Sequence, residues 1–121
     1  MKVRLFILLT FLASQVTAQS ELILSKIDSL LTDAKYTEAI DFINRNPSQD
    51  NKTAVQFNCK KAEALISLGR FEEALTILKE SQSINNTNKT HEANIEAVFG
   101  FLYLNEGKND LALEHLLKAT A

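Results

Sequence analysis

The chain has 121 residues, 45% of them hydrophobic and 23% charged, with three Gly, one Pro, one Cys and no Trp. That composition excludes a disordered, collagenous or disulfide-stapled protein and leaves room for one domain. Lys and Arg number 13 against 15 Asp and Glu, a formal charge of −2 without a long run of either sign, which argues against nucleic acid as a partner.

The first element is an address. Residues 1–20 read MKVRLFILLTFLASQVTAQS, with Lys2 and Arg4 ahead of an apolar stretch from Leu5 to Leu12, and Val16-Thr17-Ala18 before Gln19. A basic end, a short apolar middle and small residues at the cut are the order of a secretory signal peptide, so cleavage is expected after Ala18. The apolar stretch is far shorter than the roughly 20 residues needed to cross a bilayer. No Cys follows it for lipid attachment, and no second run of that density occurs. The expected mature chain, residues 19–121, has 11 basic and 15 acidic residues and a formal charge of −4. It is expected in the periplasm or outside the cell, without a membrane span. In that setting Cys59 is either a buried, inert thiol or an intermolecular crosslink, with burial preferred. Sequons begin at Asn51, Asn85 and Asn88; they are read as marks of loops.

From Glu21 onward, apolar residues recur at helical steps of three and four in six stripes. Ile23, Ile27, Leu30 and Leu31 form the first, and Tyr36, Ala39, Ile40 and Ile43 the second. Phe57, Ala62, Leu65 and Ile66 form the third, and Phe71, Ala74, Leu75 and Leu78 the fourth. Ile95, Val98, Phe99, Leu102 and Tyr103 form the fifth, and Ala112, Leu116 and Ala119 the sixth. The class is all-α. Gly69 and Gly107 are expected to end helices at tight turns, while Asn46-Pro47-Ser48 and Asn85–Thr90 separate successive pairs.

The pairs share a register. Ala39, Ala74 and Ala112 are each followed four positions on by Ile43, Leu78 or Leu116, and preceded by twelve by Ile27, Ala62 or Gly100. Spacing within a pair is constant, and only the distance between pairs varies, 35 and then 38 residues. Extra length therefore falls in the loops between pairs, where it costs little.

Leu68-Gly69-Arg70-Phe71-Glu72-Glu73-Ala74-Leu75-Thr76-Ile77-Leu78 carries a family pattern, with Gly100, Tyr103, Gly107, Ala112, Leu116 and Ala119 a second time and Ala34-Lys35-Tyr36-Thr37-Glu38-Ala39-Ile40 a third. On these residues the chain resembles tetratricopeptide repeat proteins, arrays of 34-residue helical hairpins. It departs from them in having no Trp, with Asn58 and Glu96 in that slot, Asn109 where an aromatic belongs, and no Pro closing a repeat. The resemblance implies a short right-handed superhelix of three antiparallel helical hairpins, an α-solenoid, with repeats at about 20–51, 55–88 and 93–121. Small residues at Ala62, Gly100, Ala74 and Ala112 would let paired helices approach closely.

The resemblance also implies a concave groove lined by the first helix of each hairpin, in which a peptide or protein binds. Ala97, Phe101 and Leu104 share a helix face apart from the main stripe, with Cys59, Glu63 and Ile66 as counterparts one repeat back and Leu24, Asp28 and Leu31 two back. Packing of Phe101 and Leu104 against the preceding hairpin is the simpler reading. If the groove is open, Asp28 and Glu63 favour a basic or apolar peptide over a terminal carboxylate. At the other end, Leu113, Leu116 and Leu117 have no following hairpin to cover them. A partner protein or a longer array is favoured there over self-association.

His91 and His115 form no metal-ligand spacing with each other or with Cys59. No phosphate loop is present, and Glu72-Glu73 suits the first turn of a helix, where negative charge is favoured. Neither a metal, nor a cofactor, nor catalysis is expected. Two functions follow: an exported adaptor that binds another protein, or the N-terminal piece of a larger membrane-bound sensor kinase or regulator.

Overall fold

A computed structural model describes residues 18–84 and 88–121; the segment expected to be a signal peptide lies, apart from Ala18, outside the described residues. The described part of the first helix, α1, covers residues 18–32. It is followed by α2 (Tyr36–Arg45), α3 (Asn51–Ser67), α4 (Phe71–Ile84), α5 (Lys89–Asn105) and α6 (Asn109–Thr120). No strand occurs among the described residues, and the helices build an all-α repeat solenoid.

Each hairpin turns in the same way. Gly69 and Gly107 both adopt φ +78°, and Ala34, at the matching position of the first hairpin, adopts φ 58°. Around them the backbone repeats one pattern of hydrogen bonds: Lys35 N–H to Leu30 O, Arg70 N–H to Leu65 O and Lys108 N–H to Tyr103 O, all at 2.8 Å. A second bond inside each turn, spanning three residues, runs from Ala34 N–H to Leu31 O, Gly69 N–H to Ile66 O and Gly107 N–H to Leu104 O at 2.9–3.1 Å. This is the Schellman termination, which requires one left-handed residue and satisfies carbonyls that the helix end would otherwise leave open.

The helices that follow the polar tracts begin at capped starts. Asp50 caps α3, accepting from Thr53 N–H at 2.7 Å and from the Thr53 hydroxyl at 3.1 Å. Those backbone and side-chain bonds hold its carboxyl below the usual range. Asn88 caps α5 by accepting from His91 N–H at 3.0 Å. The sequons at Asn51 and Asn88 are therefore helix starts and not loops, and His91 belongs to the first turn of α5, where it is buried. Asn, Asp and Thr are good cappers as well as good loop formers, which is why composition pointed to loops.

Packing follows the hairpin order. α3 lies against α4 and α5 against α6, while α2 meets α3, and both α3 and α4 meet α5. The main core joins Ile40, Cys59, Ala62, Leu65, Ile66, Ala74, Leu78, Phe99 and Leu102, and a second cluster joins Ile27, Ile43 and Phe57. Between α5 and α6, His115 stacks on Phe99 and Tyr103 with ring centroids 5.0 and 5.3 Å away. Its Nδ1 lies 2.5 Å from Glu96 Oε2. Glu96, a departure at the Trp slot, is thus satisfied by a histidine from the facing helix.

Candidate functional site

A cleft of about 390 Å³ opens across the hairpins and is lined by Leu31, Tyr36, Glu63, Ser67, Asn94, Ala97, Val98 and Phe101. The first helices supply all of these except Tyr36, which opens α2. α3 places Glu63 and Ser67 one turn apart on a single face, and α5 places Asn94, Ala97, Val98 and Phe101 at steps of three, one and three, so both follow from helical geometry.

Glu63 dominates the electrostatics. Burial pushes its carboxyl above the usual range, Lys60 partly offsets that, and the charge of Asp28 adds to it. Its carboxylate makes no hydrogen bond or ion pair among the described residues. Asp28, by contrast, is matched by Lys60, whose Nζ lies 3.0 Å from its Oδ1. Burial works to lower the Lys60 pKa, but the hydrogen bond to Asp28 and the neighbouring charges of Glu63 and Asp28 leave it raised. Lys60 therefore stays cationic, and the groove presents one unpaired carboxylate where the sequence suggested two. Around it stand the phenol of Tyr36, the Ser67 hydroxyl, the Asn94 amide and the apolar faces of Leu31, Ala97 and Phe101. Such a site can take an extended segment with a cationic side chain among apolar ones.

Of the eight groove residues expected from sequence, Leu31, Glu63, Ala97 and Phe101 line the cleft. Cys59 and Ile66 lie beneath it in the core, because α5 packs over the face of α3 that carries them. Burial pushes the Cys59 thiol up to about 12, with Glu63 adding to the shift and Lys60 opposing it, so it is an inert interior group. Asp28 is exposed in its ion pair, and Leu104 is exposed outside the cleft. Tyr36, Ser67, Asn94 and Val98 were missed. Ser67 stands one turn beyond Glu63, and Asn94 three residues before Ala97, so extending the same stripe would have found both. Tyr36 and Val98 had been assigned to the core.

Leu113 and Leu117 are exposed at the far end, and Leu116 is exposed only in part because it rests on Gly100 of α5. Among the described residues, no three His, Cys, Asp or Glu side chains converge to hold a metal, and no helix is long and apolar enough to cross a membrane.

The sequence pattern of the tetratricopeptide repeat family matches residues 55–88. No curated protein matches the chain significantly. The central hairpin is thus similar to a tetratricopeptide repeat, and the chain carrying it is a tetratricopeptide-repeat-like helical solenoid.

Proposed function

We propose that the chain is an exported protein–protein interaction module whose cleft holds an extended, basic or apolar peptide segment, with Glu63 facing its cationic side chain. The observation that carries this reading is the unpaired, half-buried Glu63 carboxylate in an otherwise largely apolar cleft. A buried carboxylate without a partner is costly, and a ligand cation would relieve that cost as it binds, so charge selects the ligand while Leu31, Tyr36 and Phe101 supply area. Export rests on the Lys2/Arg4, Leu5–Leu12 and Val16–Ala18 pattern. No catalytic role is assigned.

The test is selection of a randomised displayed peptide library on the wild type, Glu63→Lys and Phe101→Asp. Wild type should enrich Lys or Arg flanked by apolar residues. Glu63→Lys should exchange that preference for an acidic one, and Phe101→Asp should abolish enrichment. A consensus unaltered by Glu63→Lys would remove the hypothesis. Intact-mass analysis of the exported product, expected to begin at Gln19, tests the address separately.

A further inference from the structure

A second cleft, of about 420 Å³, opens at the start of α1, the end away from Leu31, with Gln19, Ile23, Arg45, Pro47 and Phe57 among its lining. It holds the residue that export would make the first of the chain. Gln19 follows Val16-Thr17-Ala18, stands in the opening turn of the described part of α1 and is exposed.

Cleavage after Ala18 would give Gln19 a free α-amine at the start of a helix, and the surroundings disfavour its ammonium form. The open N–H groups of a first turn and the helix dipole put partial positive charge there. Arg45 is the charged residue of the cleft lining and has the same sign. No carboxylate lines the cleft among the described residues. Glu21 and Asp50 flank it in sequence without lining it, and Asp50 is already committed to Thr53. An ordinary α-amine titrates at roughly pH 8, so these neighbours favour the neutral amine, which is the nucleophilic form.

We propose that Gln19 of the exported chain closes to pyroglutamate, an inference that rests on the export reading above. The α-nitrogen forms a bond to the side-chain Cδ, and the bond from Cδ to Nε2 breaks. Nε2 takes up the proton that the α-amine gives up and leaves as ammonia, so the step needs no oxidant, reductant or co-reactant. Closure of a five-membered ring is intramolecular and has the advantage of proximity. The helix accepts the ring. The N–H of a first helical residue has no intrahelical carbonyl to meet, and for that reason proline's five-membered ring is favoured at the same position. The backbone carbonyl of Gln19 takes no part in closure and remains an acceptor for the helix. The product is an uncharged lactam, which ends the conflict with Arg45 and the dipole and removes the free amine that aminopeptidases require.

The test uses the full exported chain from the cells that produce it, its intact mass measured before any digestion. The expected mass is that of residues 19–121 less one ammonia. The terminus should resist amine-directed labelling until a pyroglutamyl aminopeptidase removes the first residue and frees the amine of Ser20. Gln19→Glu, whose closure must expel water in place of ammonia, should keep a free terminal amine and its full mass. A wild-type chain that begins at Gln19 with a free amine would overturn this proposal and leave the export reading standing. A chain that begins at any other residue would overturn the cut after Ala18, and this proposal with it.

Discussion

Leu116 of α6 lies directly on Gly100 of α5: a methyl group added at Gly100 would stand 2.6 Å from both Cγ and Cδ2 of Leu116. Gly100 is buried and has ordinary helical backbone, so its role is to let two helices touch. Gly100→Ala gains about 1 kcal/mol in helix propensity but incurs an overpacking cost of about 1–3 kcal/mol. The expected result is a net loss of about 1 kcal/mol in a urea titration. In a Leu116→Ala background the same change should instead stabilise, which separates the clash from any effect of the backbone.

Ala34 occupies, at φ 58°, the left-handed turn position that Gly69 and Gly107 occupy in the later hairpins. A Cβ there costs roughly 1–2 kcal/mol, reduced by the entropy that Gly loses on folding. Ala34→Gly should therefore raise stability by several tenths to about 1 kcal/mol. Gly69→Ala should lower it, although nothing lies within 4 Å of the added methyl, because the strain is in the backbone. Chemical denaturation of both variants checks the pair of signs.

His115 and Glu96 satisfy each other between α5 and α6, with only 15% and 12% of their side chains exposed. Removing either partner leaves the other unpaired in a half-buried slot. A double-mutant cycle of Glu96→Ala and His115→Ala should give a coupling of about 1 kcal/mol, within the range for contacting groups. Additive effects would show that His115 contributes only by stacking on Phe99 and Tyr103.

Glu63 should make both stability and binding depend on pH. Its folded-state pKa is raised, mainly by burial, so the folded chain holds the proton more tightly than the unfolded one. That stabilisation is fully present below the unfolded pKa and is lost as pH rises through the folded pKa. Glu63→Gln should flatten this part of the stability profile. Binding of a Lys- or Arg-containing peptide should run the opposite way, weakening as acidification neutralises Glu63. Fluorescence titrations across mildly acidic pH would show both trends.

Cys59 is fully buried, and its thiol is pushed up to about 12 by burial. Little thiolate forms at mildly alkaline pH. A disulfide reagent should not react with the native chain and should react promptly in denaturant. The protection should follow global stability and so fall in Gly100→Ala.

The repeating distances in the sequence were enough to identify six helices, their pairing and the left-handed turns at Gly69 and Gly107, because each depends on local backbone preference and helical period. They also brought Leu31, Glu63, Ala97 and Phe101 to one face. What they misjudged depended on neighbours. Asn51 and Asn88 looked like loop residues until Asp50 and Asn88 were seen as caps, and Asp28 looked like a ligand carboxylate until Lys60 was found beside it.

By itself, then, the sequence determined an all-α chain of repeated hairpins and the residues able to face a groove, since helix period and capping act over a few residues. Only the tertiary structure decided which members of each repeated position are covered. Ile66 and Leu104 are equivalent in register, yet one is sealed beneath α5 and the other stands in solvent. Burial belongs to the packing of one hairpin on the next, and so does the property that matters most here, an unpaired carboxylate at Glu63.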